Sequence, residues 1–249
     1  MTAKDASHTK DEIIVLHSVK FGDSSIIVSA LTGDRGREGL MLRGIGKSRQ
    51  RSLLAHLHPL SILEVEINPS RKGTLSYLTD FRPKHQLHSL RSNIIKSNIA
   101  LFICETVNKT VTESQKDTRL YEFLRDSILL LDSLEESYSN YHLIFIVRLA
   151  SLIGFHPEDN YSSINNLFDI EKAMFVPRGY KSDNSMQEEE SEILHLILSN
   201  STEDSLKIKL SGERRFSFIV GFIKYLEHHL DYRLNLKSHI VLNEIMRET

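Results

Sequence analysis

Six basic residues, Arg35, Arg37, Arg43, Lys47, Arg49 and Arg51, stand within seventeen positions that hold a single acid, Glu38, for a local net charge of +5. The core of this run is Gly44-Ile45-Gly46-Lys47-Ser48-Arg49-Gln50-Arg51. Glycines let a loop bend and approach a ligand, while alternating Lys and Arg offer charge and forked donors to phosphate oxygens. A polyanion, above all nucleic acid, fits that chemistry. Arg71, Lys72 and Arg82 could extend the field. A solvated loop that only keeps the protein dissolved is the competing reading.

Other chemistry finds less support. Residues 44–48 read GIGKS, but a phosphate-cradling P-loop needs glycine where Met41 stands, and Arg49 occupies the third glycine position of a dinucleotide fingerprint. The twelve histidines include the pairs His56/His58, His85/His88 and His228/His229, none with the spacing of HExxH. Adjacent residues on a helix point about 100° apart, so His228 and His229 do not converge on one ligand. Glu188, Glu189 and Glu190 read as a solvated helix start, and Cys104 as inert packing. The sequence therefore predicts no catalytic residues, no metal and no cofactor. An enzyme built on a His/Asp pair and a pure interaction scaffold are the alternatives to a DNA binder.

Composition hides the basic run, because 31 Lys and Arg against 33 Asp and Glu leave the 249-residue chain at −2. Residues 1–83 carry twelve basic and nine acidic side chains, and the remainder nineteen and twenty-four, so the two parts have opposite signs. One cysteine rules out an intramolecular disulfide framework and a Cys-rich zinc site. Met1 to Glu12 is polar, unlike a signal peptide, and no run of about 18 apolar residues is present to span a bilayer. The expectation is a cytoplasmic, nucleoid-associated protein with no membrane partner.

The elements that must position these residues change character near Arg82-Pro83. Before it come five short segments rich in β-branched residues: 13–17, 25–31, 39–43, 61–67 and 74–81. Five antiparallel strands in so short a span suit a small closed barrel, which leaves no exposed edge. Phe21, Tyr77 and Phe81 are the aromatics available there for base stacking. After Pro83 the apolar spacing turns helical over 94–106, 120–131, 142–153, 192–198 and 213–230. The last of these is apolar on two flanks and belongs at the centre of its domain. The fold class is α+β: a five-stranded barrel domain over 1–83, a helical domain over 84–249, and a small irregular insert near 155–187 with a hairpin around 167–177.

Val15-Leu16, Phe21-Gly22-Asp23-Ser24-Ser25-Ile26, Leu31-Thr32, Gly44 with Lys47-Ser48-Arg49, and Leu57 through Pro59-Leu60 to Leu63-Glu64 resemble the N-terminal barrel of the bacterial RecO recombination mediator family. Leu152-Ile153-Gly154-Phe155 with Pro157, the helix 215–230 and Leu236-Lys237-Ser238 are similar to its helical domain. The resemblance implies an OB-fold joined to a helical domain, without catalysis. It implies binding of single- and double-stranded DNA, annealing of complementary strands, and assistance with RecR in loading RecA onto strands covered by single-strand-binding protein, SSB. The family's basic loop falls on Lys47 and Arg49, with Arg43 and Arg51 beside it. The site for the acidic SSB tail belongs to the helical domain, with Arg214, Arg215, Lys224 and Arg233 as candidates. Many members hold zinc with four cysteines in the insert. This chain has none there, so the insert is expected to lack metal and to be held by packing alone.

Overall fold

A computed structural model of the protein describes residues 9–44, 54, 56–70, 75–111, 116–180 and 184–248. β-branched and aliphatic residues alternate through β1 (Thr9–Phe21), β2 (Ser25–Thr32), β3 (Gly36–Leu42), β4 (Ile62–Asn68) and β5 (Ser76–Pro83). These close into a barrel in the order β1-β2-β3-β5-β4, and the pairs are antiparallel except for parallel β3 and β5. The interior is filled by one residue in two from each strand, among them Ile13, Val15, Ile26, Val28, Leu40, Leu42, Val65, Ile67 and Leu78. The expected five-stranded OB-like barrel is thus present, with β1 longer at both ends than sequence spacing suggests.

Contacts divide the chain into two units. Met1–Ser92 with Val107–Asp132 forms the barrel's unit, and Asn93–Thr106 with Ser133–Thr249 forms the helical one. Four polar contacts explain why 107–132 belongs with the barrel. Asn108 Oδ1 accepts from Ser29 Oγ at 2.9 Å and from Arg37 at 3.1 Å, Lys116 pairs with Asp34 at 2.6 Å, and Tyr121 donates its hydroxyl to Glu12 at 2.6 Å.

The helices are α1 (His88–Ser92), α2 (Ile94–Thr110), α3 (Thr118–Ser133), α4 (Tyr141–Leu152), α5 (Glu188–Ser199), α6 (Thr202–Leu206), α7 (Gly212–Leu230) and α8 (Ser238–Glu248). Gly154, at φ 100°, stops α4 where sequence places its end. As its two apolar flanks require, α7 is central and packs on α4, α5 and α8. Phe218, Ile219, Phe222, Ile223, Tyr225 and Leu226 are buried along it. The short α1 and α6 and the terminal α8 were not anticipated. α8 starts where Glu105 of α2 accepts hydrogen bonds from the backbone of Lys237 and Ser238 and from the Ser238 hydroxyl, a cap supplied from far away in sequence.

Two expectations are corrected here. Glu190 is not solvated like Glu188 and Glu189. It is 7% exposed, accepts from the Gln187 backbone at 2.9 Å and from Ser217 Oγ at 2.5 Å, and so closes the start of α5 against α7. The insert is also less irregular than expected. A hairpin of β6 (Asn165–Asp169) and β7 (Met174–Pro177) is flanked by bridges at Glu158 and Ser185.

In the barrel's unit, burial works to raise the Glu12 carboxyl, but hydrogen bonds from Lys84 and Tyr121 outweigh it and hold the group below its ordinary 4.5. The folded protein therefore binds this proton less readily than the unfolded chain. Its contribution to stability is complete above about pH 4.5 and is lost as pH falls through the lower folded value. Glu12→Gln should unfold a few degrees earlier at neutral pH and lose stability less steeply in acid. Parallel acid curves for the two proteins, measured by thermal unfolding, would assign the acid sensitivity elsewhere.

Candidate nucleic-acid interface

Strands β2 and β3 are apolar on both faces. In Ile26-Ile27-Val28 and Leu40-Met41-Leu42 the flanking residues point into the barrel and the central ones do not. Register sets Val19 beside Ile27, Ile27 beside Met41, and Met41 beside Tyr77, which makes one row across β1, β2, β3 and β5. Val19 is 41% exposed, and Phe21, at the β1–β2 turn, is 56% exposed. Arg43, the residue after β3, lays its guanidinium 4.5 Å from the centre of the Tyr77 ring and donates through Nε to Met41 Sδ at 2.9 Å. Met41 is buried at 8% exposure and Ile27 and Tyr77 are half-buried, so Val19, Phe21 and Arg43 are the exposed members of an outer barrel surface suited to unpaired bases. Gly44 follows at φ 71° and leads directly into the basic segment.

The residues singled out by sequence fall in different places. Lys47, Arg49, Arg51, Arg71 and Lys72 lie outside the described residues. Arg35 sits between Asp11 at 3.3 Å and Glu38 at 2.7 Å. Desolvation raises both carboxyls and the Arg35 charge offsets part of that. Its charge is thus taken up inside the barrel's own surface. Arg37 is held by Asn108, and Arg82 pairs with Glu64 at 2.7 Å. Of the three described arginines in the basic run, Arg43 is the one that lies on a ring and a sulfur. The β1–β4–β5 side is the reverse in sign, with Asp11, Glu12, Glu64, Glu66 and Asp80 lining one groove alongside Lys10 and Arg82. Charge of this sign repels a polyanion from this side.

In the helical unit, the four candidate partner residues do not form one patch. Arg214 pairs with Glu189 at 3.2 Å and Glu192 at 2.9 Å. Lys224 and Arg233 border an open recess with His228, Asp231 and Tyr232, where Arg233 pairs with Glu227 at 2.8 Å. Arg215 donates to the Leu210 carbonyl at 2.7 Å and lines a cavity with His142, Phe216, Ile219, His239 and Leu242. Within it the Arg215 Nε and the His239 Nδ1 are buried without hydrogen-bond partners among the described residues. The cavity residues His142 and His239 escaped sequence reasoning, because no local spacing links positions so far apart.

Among the described residues no three His, Cys, Asp or Glu side chains converge. His156 is bonded to Ser151 Oγ and His195 to Asp159.

Comparison with known proteins agrees with this two-part architecture. Residues 7–87 match the family model described as Recombination protein O N terminal, and residues 91–237 match Recombination protein O C terminal. The chain is 27% identical to a protein named DNA repair protein RecO from Azobacteroides pseudotrichonymphae, covering 95% of this chain and 98% of that one. A protein of the same name from Flavobacterium johnsoniae is 29% identical over 95% of this chain and 98% of its own length. One from Phocaeicola vulgatus is 28% identical, over 93% and 96%.

The Arg215 cavity generates a pH test. Burial, with the Arg215 charge second, pushes the His142 imidazole down to about 3 from its ordinary 6.5. The unfolded chain then takes up a proton that the folded one refuses, so stability falls as pH drops from 6.5 toward 3. His142→Gln should flatten the stability profile over that interval. A profile as steep as that of the wild type in urea unfolding would place the titration at other groups.

Proposed function

Because the chain belongs to the Recombination protein O family, a family of DNA repair and recombination, we propose that it does that work by binding DNA on the outer β1–β2–β3–β5 face of its barrel. Arg43 on Tyr77, opening onto the basic segment that follows Gly44, is the observation that carries this reading. Unpaired bases stack on Tyr77, the Arg43 plane and Phe21, while Lys47, Arg49 and Arg51, with Arg71 and Lys72 as flanking cations, neutralise phosphates. With charge on two strands neutralised at once, their mutual repulsion falls and complementary strands pair. No covalent bond is made or broken, so the protein is a mediator and not an enzyme.

Double-stranded DNA engages the same cations through its backbone, without the stacking. In this reading the protein acts with RecR to assist RecA loading, in the bacterial cytoplasm at the nucleoid. The acidic tail of SSB is received by the helical unit at the surface around Arg215, whose guanidinium donates to the Leu210 carbonyl beside the apolar Phe216 and Leu242. Arg214, tied to two carboxylates, is less open to such a tail, and Lys224 and Arg233 form a separate recess.

Salt titration of DNA binding tests the proposal. Each neutral substitution at Arg43, Lys47, Arg49 or Arg51 should lower the log-log slope by about 1 if that side chain meets a phosphate. Tyr77→Ala and Phe21→Ala should weaken single-strand binding by about 1–3 kcal/mol per lost stack and leave duplex binding nearly unchanged. Arg35→Gln should lower the unfolding temperature and leave the slope alone. Unchanged slopes across the four basic positions, or equal losses on both DNA forms for Tyr77→Ala, would remove the barrel face as the binding surface.

A further inference from the structure

The insert poses a stability problem. A two-stranded hairpin is marginal in water, and one as short as β6 and β7 cannot build a core of its own. Its backbone is extended by neighbours on both sides. The Glu158 amide donates to the Ala173 carbonyl at 2.7 Å, and the Asn160 side chain brackets Phe175 by accepting from its amide at 2.7 Å and donating to its carbonyl at 2.9 Å. On the far side the Met186 amide donates to Phe168 O and the Ile170 amide to Asn184 O, each at 2.9 Å. The result is a two-stranded sheet of β6 and β7, bridged at Glu158 on one side and at Ser185 on the other. Hydrogen bonds within so small a sheet do not anchor it to anything else.

Side chains from two helices do. From α5, Ser191 Oγ accepts the Phe168 amide at 2.9 Å, and His195 Nδ1 lies 2.8 Å from Asp159 Oδ1. From α7, His229 Nε2 lies 2.8 Å from the Ile170 carbonyl. Rings join the same points. Tyr161 stacks on His195 at 4.2 Å and 9°, Phe175 meets Tyr161 edge-on at 5.2 Å, Phe168 meets Phe175 at 5.2 Å, and Tyr225 of α7 meets Phe168 at 5.5 Å. An unbroken line of rings therefore crosses the insert from α5 to α7, with Asp159 tying its outer end. Groups of the metal-binding type are turned on one another: Asp159 on His195, His156 on Ser151, and Asp169 on the Lys172 amide at 2.9 Å.

We propose that the Asp159–His195–Tyr161 clasp closes this insert in the place where the resemblance implies a zinc centre, so that the helical unit folds and stays folded without a metal. The reason is mechanical. A metal joins segments by bonding to each of them, and here helix-borne side chains reach each segment directly. The packing-only insert expected from sequence is corrected accordingly: polar bonds from α5 and α7 share the task with packing.

The test uses the full-length protein and reads metal content and unfolding temperature, neither of which depends on where DNA binds. The purified protein should contain well under one zinc per chain, and EDTA or 1,10-phenanthroline should leave the unfolding temperature unchanged. Asp159→Ala and His195→Ala should each lower it by about 1–4 °C, and the double variant by less than the two losses added, because the residues act as a pair. Should His195→Ala fail to yield folded protein, His195→Gln, which keeps a polar group facing Asp159, should fold and lose less than Asp159→Ala. Stoichiometric zinc with a chelator-induced drop overturns the proposal. So do single variants as stable as the wild type, strictly additive losses, or a His195→Gln variant that also fails to fold.

Discussion

The parallel pairing of β3 with β5 is the constraint on which the barrel and its proposed surface both depend. Leu40 beside Ser76 and Met41 beside Tyr77 close five short strands into a ring, and an open sheet of this size would present unpaired backbone on two edges. The same register brings Tyr77 next to Met41 and under the guanidinium of Arg43. A Cβ at Gly39 would stand 2.6 Å from the Leu75 Cδ2, so a larger residue there would displace that side chain. Closure and surface are thus one geometric event. A slip of one residue would turn Tyr77 toward the core and break the apolar row.

Charge on the barrel is divided by function as well as by position. Arg35, Arg82, Lys84 and Lys116 each face a carboxylate, respectively Asp11 with Glu38, Glu64, Glu12 and Asp34. Those pairs let acidic residues gather on the β1–β4–β5 side without leaving so many carboxylates unopposed. Arg43 points instead over a ring, on the side where the chain enters its most basic segment. A net charge near zero therefore conceals a polarised barrel, and polarity rather than net charge orients a polyanion.

In the helical unit, specificity comes from buried polar groups with defined partners. Glu190 joins α5 to α7 through Ser217, Glu105 caps α8, and Asn140 donates to the carbonyls of Leu206 and Ile208. Lys96, 1% exposed, donates through Nζ to the Leu134 carbonyl and lies 5.1 Å from the centre of the Tyr138 ring. Each would be costly if its partner were lost, because a buried polar group left unpaired forfeits its hydration without return. Such contacts select one packing of the helices over others of similar apolar burial. For the insert the same principle holds at Ser191, which is fully buried and accepts the Phe168 amide.

By itself the sequence determined the five strands of the barrel and five of the eight helices described. Period-two runs before Pro83 dictate strands, period-three-to-four runs after it dictate helices, and Gly154 and the two-flanked helix at 212–230 hold their expected places because backbone sterics and apolar periodicity act over a few residues. The basic run was legible too, being a matter of composition, whereas nothing local told that Phe81, named beside Phe21 and Tyr77 for stacking, packs against the barrel core. Unread were the double-faced apolarity of Ile27 and Met41, whose signal is an unbroken apolar run where a half-buried strand would alternate, and the fate of Arg35, which looks identical in sequence to Arg43. Tertiary structure alone decided that Arg35 meets Asp11 and Glu38 while Arg43 meets Tyr77, that Glu190 is buried, that Glu105 caps a helix 132 residues away, and that His195 meets Asp159. These choices belong to register and packing, because Coulomb and hydrogen-bond energies depend on distances between strands and helices that no local pattern specifies.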